Sequence, residues 1–220
     1  MNGFLLINKP VGPTSHDMVD EVRRILKTRK VGHAGTLDPF ASGLLIIGVG
    51  KFTKELAKIQ GLPKTYTGTI AFGKRSTTDD PEGIITESGL PLPKKEDIET
   101  VFKKFIGEIE QVPPIYSAKK IGGRKLYEIA RAGETILIPP VKVTVRSLQL
   151  LEYKNGLARF ETTVSSGTYI RALARDIGEA LSVGGYLKEL IRTAIGDYKL
   201  KNSTSLDELR KNPSIHFFQI

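Results

Sequence analysis

Cysteine is missing from all 220 residues. Its absence excludes disulfides, thiolate zinc sites, iron–sulfur clusters and cysteine nucleophiles, and it is compatible with a reducing compartment. Long apolar runs are missing too: none approaches the roughly 18 residues a membrane helix needs. The start, Met1-Asn2-Gly3-Phe4-Leu5, has neither a basic n-region nor a long apolar h-region, so the expected location is the cytoplasm. No internal repeat, low-complexity tract or long linker is visible. Familiar cofactor signatures fail as well. Gly50-Lys51 hints at a phosphate loop, but Leu45 and Phe52 break that pattern. Gly48-Val49-Gly50 lacks the third glycine of a dinucleotide fingerprint, because Thr53 stands there. His16, His33 and His216 have no metal-ligand spacing, and no G-x-S-x-G elbow exists. The expectation is therefore an activity without cofactor or metal.

What is present is a basic excess. Lys and Arg total 33 against 24 Asp and Glu, a net charge of +9. Such a balance suits a polyanionic partner, most often nucleic acid, although ordinary surface charge also produces it. Hydrophobic residues at 40% are enough for a packed core in a chain of this size.

The pattern predicts a strand over Phe4–Ile7 and a helix capped at Thr14 or Ser15, with Met18, Val22, Ile25 and Leu26 on one face. That helix ends in Arg23, Arg24, Lys27, Arg29 and Lys30, more basic charge than the helix dipole calls for. Residues 31–43 and 73–83 read as loops, 44–49 as a buried strand, and 51–60 as helical. Tyr66, Gly68, Ile70 and Phe72 alternate with residues 65, 67, 69 and 71 as in a strand. Ile98, Val101, Phe102 and Phe105 mark a helix. Asn155-Gly156 predicts a hairpin between strands near 141–153 and 157–164, because both residues tolerate positive φ. Ile170, Leu173, Ala174, Ile177 and Leu181 form one helix face. Strands and helices do not alternate as βαβ units. The expected class is α+β, with a mixed, mostly antiparallel sheet flanked by helices.

Three segments carry candidate chemistry. In Gly32-His33-Ala34-Gly35-Thr36-Leu37-Asp38-Pro39 an imidazole and a carboxylate stand close together on a glycine-rich loop. Asp38 there reads either as a helix cap or as a nucleophile or general base. Arg171 opens a helix, where a cation opposes the macrodipole; this asks for an anionic partner, a carboxylate or a phosphate. An exposed arginine reaching water would also fit. From Tyr116 to Tyr127, basic residues interleave with tyrosines, which suits phosphate contact and base stacking, or a plain solvated loop.

These segments closely resemble the motifs of TruB-type tRNA pseudouridine synthases. Beside Gly32–Pro39, the matches in chain order are Asn8-Lys9-Pro10 with Gly12, Lys64-Thr65-Tyr66, Tyr116-Ser117-Ala118-Lys119 with Lys125-Leu126-Tyr127, and Gly167-Thr168-Tyr169-Ile170-Arg171. The resemblance covers about residues 3–200. One short motif would be weak; five in order are specific.

The resemblance implies a pseudouridine synthase catalytic fold with an RNA-binding cleft. It implies isomerisation of the T-loop uridine at tRNA position 55: uracil leaves C1′, turns, and rejoins through C5. It assigns Asp38 as the essential aspartate, Tyr66 as the tyrosine that stacks on the flipped base and helps remove the C5 proton, and Arg171 as the arginine paired with that aspartate. Tyr169 and Lys9 support the pocket, and His33 takes the space of the extruded base. Leu190 and Arg192 match a base-pocket and RNA-contact stretch. Lys119, Lys125 and Tyr127 lie in an RNA-binding insertion at about residues 112–135. The implied partner is the tRNA T stem-loop, met by a monomer without a protein partner or a membrane.

Many relatives carry a C-terminal RNA-binding PUA domain. Here the matching region is followed only by room for one short helix, Ser205 to Lys211, so a single catalytic domain over 1–220 is expected, without that domain. Two other readings stand beside the enzyme: a guide-RNA-dependent relative that works with partner proteins, and an RNA-folding protein that opens the T loop. The second would have no use for Asp38.

Overall fold

The computed structural model describes residues 2–213, 217 and 218, except Ala118 and Thr135; for Lys120, Ile121, Lys125, Ala130 and Arg131 it describes the backbone alone. In chain order the elements are β1 (Gly3–Lys9), α1 (Ser15–Leu26), β2 (Val31–His33), β3 (Ser42–Val49), α2 (Leu56–Gln60), β4 (Lys64–Phe72), β5 (Lys74–Ser76), β6 (Ile85–Glu87), α3 (Lys95–Lys104) and β7 (Gly107–Gln111). There follow β8 (Lys120–Ile121), β9 (Arg124–Lys125), α4 (Leu126–Arg131), β10 (Val141–Lys154), β11 (Leu157–Val164), α5 (Ile170–Ala180), β12 (Gly185–Ile195), β13 (Tyr198–Lys199) and α6 (Leu206–Lys211). The chain divides into two compact units, Met1–Thr67 with Leu190–Ile220, and Gly68–Glu189. No helix among the described residues is long and apolar enough to cross a membrane.

The first unit is organised around β3. Its continuous apolar run is buried because both faces are covered. Leu45, Ile47 and Val49 point to the side where Met18, Val19 and Val22 of α1 pack with Leu5 and Ile7. Leu44 and Ile46 point the other way, into a cluster with Phe4, Ile59 and Ile195. Each such side chain contributes about 1.5–3 kcal/mol by leaving water. β1 lies antiparallel along one edge of β3, from Gly3 opposite Val49 to Lys9 opposite Gly43. The other edge is shared: β12 runs parallel to its start, at Ser42 and Gly43, and β2 runs antiparallel to its end. α1 begins as the sequence predicts, with Thr14 as N-cap and Asp17 completing a capping box.

In the second unit β10 pairs antiparallel with β11 and with β7. The hairpin turns at Asn155 (φ 51°) and Gly156 (φ 77°), both in the left-handed region that this turn requires. α5 buries Ile170, Leu173, Ala174 and Ile177, the expected face. The strand pairings described above are antiparallel except for β12 with β3, so the α+β class is borne out.

Several local expectations are corrected. Residues 31–33 form β2, because the end of β3 has backbone groups on that edge that need partners. Residues 74–76 form β5, paired with β6. Residues 51–60 are split between a 3₁₀ turn (Gly50–Lys54) and α2. β12 has no clear signature in the sequence pattern; its Lys188-Glu189-Leu190 run favours helix, and tertiary pairing overrides that preference.

Candidate active site

In the first unit the loop between β2 and β3 carries Asp38. Three buried polar side chains from distant segments hold its backbone. Ser15, the first residue of α1, donates its hydroxyl to the Leu37 carbonyl (2.9 Å) and accepts from the Leu37 amide (2.8 Å). Lys9, fully buried at the end of β1, donates Nζ to the carbonyls of Ala41 (2.7 Å), Pro10 (2.8 Å) and Pro39 (3.4 Å). Arg192, 1% exposed on β12, donates Nε to the Leu44 carbonyl (2.8 Å), Nη1 to Thr36 (3.1 Å) and Nη2 to Gly35 (3.3 Å). The Gly12 amide adds a bond to the Pro39 carbonyl (2.8 Å). β12 reaches this position through Gly43 (φ 110°), where a Cβ would lie 2.4 Å from the Arg192 carbonyl oxygen. The peptide groups on both sides of Asp38 are thus fixed. Asp38 itself is half-buried. A carboxylate on a backbone held this way is positioned before any substrate arrives.

Tyr66 lies on the buried side of β4 with Lys64, Gly68 and Ile70, as the alternation predicts. Lys64 donates to the carbonyls of Leu62 (2.7 Å) and Gln60. Burial lowers its amine to about 8, with the Arg192 charge adding to the effect. Burial likewise holds the His33 imidazole below its usual range, against a backbone bond to Gly35 that raises it. His33 Nδ1 is buried and has no hydrogen-bond partner among the described residues. Leu190 is buried on β12.

In the second unit Arg171 is 6% exposed. It donates Nη1 to Asp80 Oδ2 (3.1 Å) and to the Thr78 carbonyl (3.0 Å), and Nη2 to the Tyr116 carbonyl (2.9 Å). The cation in the first turn of α5 therefore has a buried carboxylate beside it, as the dipole argument asks. Asp80 also accepts from Thr78 Oγ1 and from the Glu82 amide. One turn on, Arg175 binds Asp79 Oδ2 (3.0 Å), Asp176 Oδ1 (2.9 Å) and the Val112 carbonyl (2.9 Å). Burial pushes both Asp79 and Asp176 up, against the Arg175 charge. Gln111, fully buried, grips Tyr169 from both sides, accepting from its amide (2.8 Å) and donating to its carbonyl (3.1 Å). Tyr169 itself is half-buried and stands at the N-cap of α5.

The same two arginines hold the start of the insertion, at Val112 and Tyr116. Within it, β8 and β9 form a small hairpin with Gly122 (φ 58°) and Gly123 (φ 83°) at its turn. Arg124 makes a two-pronged ion pair with Glu134 (2.9 and 3.0 Å). Lys119 and Tyr127 are half-buried. The Lys125 side chain and Ala118 lie outside the described residues.

The family model described as "TruB family pseudouridylate synthase (N terminal domain)" matches residues 23–170, and "tRNA pseudouridylate synthase B C-terminal domain" matches 171–214. The chain belongs to the TruB family of pseudouridylate synthases. It is 46% identical to tRNA pseudouridine synthase B of Caldanaerobacter subterraneus over 213 residues, 96% of this chain and 75% of that one. With the Aquifex aeolicus protein of that name it shares 46% over 210 residues, 94% of this chain and 73% of the other. Among solved structures it is similar to a Cbf5-Nop10-Gar1 complex, with a TM-score of 0.76 and 31% identity; it covers 95% of this chain and 54% of that chain, about half its length.

Within this TruB-family chain, Ser15, Asp80, Gln111 and Arg175 are structural partners that the sequence motifs did not reveal. The sequence offers both Thr14 and Ser15 as caps; Thr14 caps the helix, which leaves the Ser15 hydroxyl for Leu37. Asp79 and Asp80 fell in an expected loop, although two adjacent acids match Arg171 and Arg175 in number and sign. Arg192 is turned inward on the loop carbonyls, so its burial leaves almost no guanidinium surface for the RNA contact implied for it.

Proposed function

We propose that this chain isomerises the T-loop uridine of tRNA, at position 55, to pseudouridine. Its similarity to tRNA pseudouridine synthase B over 96% of this chain carries the reading, and the backbone clamp around Asp38 supports it. In the reaction the C1′–N1 bond breaks and a C1′–C5 bond forms. The C5 proton leaves to solvent and N1 takes up a proton. Asp38 is the group that attacks or abstracts; Tyr66 stacks on the base and assists the proton at C5. His33 fills the space of the extruded base, and Lys9 and Tyr169 support the pocket. For Arg171 the role is support of the aspartate's charge.

A uracil stacked in a folded loop hides C1′ and C5, so it must be flipped, at a cost of a few kcal/mol. Stacking on an aromatic ring returns about 1–3 kcal/mol. Lysines and arginines at 23–30 and 119–131 bind phosphates, which makes affinity fall with salt. The insertion at about 112–135 closes on the T stem. The enzyme acts as a cytoplasmic monomer on tRNA alone.

The deciding experiment is tritium release from tRNA labelled at uridine C5. The wild type releases label from one T-loop uridine; Asp38→Asn releases none and keeps its RNA affinity within a few-fold. Turnover by Asp38→Asn refutes the nucleophile. Because the similar solved structures include an H/ACA RNP bound to a substrate RNA, release from bare tRNA also separates this reading from a guide-dependent one.

A further inference from the structure

The first unit contains a cavity of about 800 Å³ to which neither the Asp38 loop nor its three anchors contribute. Its apolar lining comes from the half-buried Phe52, Leu62 and Tyr198, over a floor of the fully buried Phe4 and Ile59. Phe4 and Phe52 meet edge to face, with ring centres 5.2 Å apart, and Phe52 remains half-buried. Lys51, Lys54 and Lys58 are exposed and line the same cavity. Lys58 is engaged by Glu55 (2.6 Å). Lys51 lies over the Phe52 ring (5.6 Å), and neither Lys51 nor Lys54 has a carboxylate partner among the described residues. The Gly50 amide donates to the Lys30 carbonyl (2.8 Å), which brings the basic end of the α1 segment, Arg29 and Lys30, next to this rim. Gly50-Lys51, which fails as a phosphate loop, thus sits where lysines border an aromatic hollow.

Each part suits a different portion of one ligand. A half-open aromatic and aliphatic lining takes the flat face of a base. Amino groups with no carboxylate partner take phosphate. The exposed Asp197 on the rim accepts hydrogen bonds from base N–H groups. The cavity lies within the range of small-ligand pockets and holds a whole nucleotide.

We infer that this cavity binds an unpaired nucleotide of the RNA substrate, outside the T stem-loop. The inference rests on the tRNA reading above. Its test compares full-length tRNA with an isolated T stem-loop, using Lys51→Glu/Lys54→Glu and, separately, the cavity-filling Leu62→Trp. Tritium release from the stem-loop by the wild type first checks the tRNA reading on its own; without it, that reading fails, not the inference. With release established, the charge-reversal variant should bind full-length tRNA about tenfold more weakly, with a salt slope smaller by about two. Leu62→Trp should weaken full-length tRNA several-fold at unchanged salt slope. Both should keep wild-type kcat/KM on the stem-loop, which also shows that they are folded. Unchanged affinity for full-length tRNA in both variants overturns the inference. So does an equal loss on the stem-loop, which would make the lysines part of general T-arm attraction. Dimerisation of the wild type that the variants abolish, with tRNA binding intact, would assign the cavity to a second copy instead.

Discussion

The Ser15 hydroxyl and the Leu37 peptide satisfy each other: one oxygen donates to the carbonyl at 2.9 Å and accepts from the amide at 2.8 Å, next to Asp38. Ser15→Ala leaves both groups of a buried peptide without that partner, which costs about 1–3 kcal/mol. The expected result is a lower urea midpoint and, on the proposed role of Asp38, a kcat reduced at least tenfold with KM nearly unchanged. A loss confined to stability, with kcat intact, would show that the loop keeps its shape without Ser15.

Arg192 gives a sharper separation. If its guanidinium positions the loop through Gly35, Thr36 and Leu44, Arg192→Met lowers kcat and leaves the salt dependence of tRNA binding as it was. If it contacts phosphate, affinity falls for every RNA and the salt slope drops by about one. Filter binding across a salt series, alongside single-turnover rates, distinguishes the two.

Arg171 and Asp80 form a buried ion pair with side chains 7% and 3% exposed. Breaking a buried ion pair by removing one partner costs about 3–5 kcal/mol. Asp80→Leu should therefore destabilise the protein strongly, whereas Asp80→Asn, which keeps the shape, should destabilise it less and alter the pH–rate profile. A profile identical to wild type would confine Asp80 to folding.

Lys64 makes stability depend on pH in a defined direction. Its amine titrates at about 8 in the folded chain against 10.5 ordinarily. Between those values the unfolded chain holds a proton that the folded chain lacks, so stability rises with pH. Below about pH 8 both states are protonated and this contribution is flat. Denaturation midpoints of the wild type should climb relative to Lys64→Met as pH goes from 8 towards 10. Parallel curves would show that the buried amine keeps its proton.

The parts legible in the sequence are those written in local chemistry. Thr14 with Asp17 marks the start of α1, Asn155-Gly156 marks the hairpin, and the alternation from Tyr66 to Phe72 marks β4. Asp38 was legible as a candidate because glycines and a histidine crowd around it. What stayed hidden depends on pairs far apart in the chain. Ser15 meets Leu37 across 22 positions, Gln111 meets Tyr169 across 58, and Asp80 meets Arg171 across 91. β12 was hidden for the same reason: its Lys188-Glu189-Leu190 run favours a helix in isolation, and pairing with β3 and β13 makes the segment a strand.

The loop that carries Asp38 is made early in synthesis and secured late. Lys9 and Ser15 precede it, but Arg192 follows Thr36 by 156 residues. On the ribosome, the carboxylate emerges long before its last anchor. A nascent chain therefore displays Asp38 on a loop that is only half tethered, and the tethering is completed when β12 takes its place along β3. Full tethering of Asp38 is in this way timed by translation itself, arriving only after the β12 segment has left the exit tunnel.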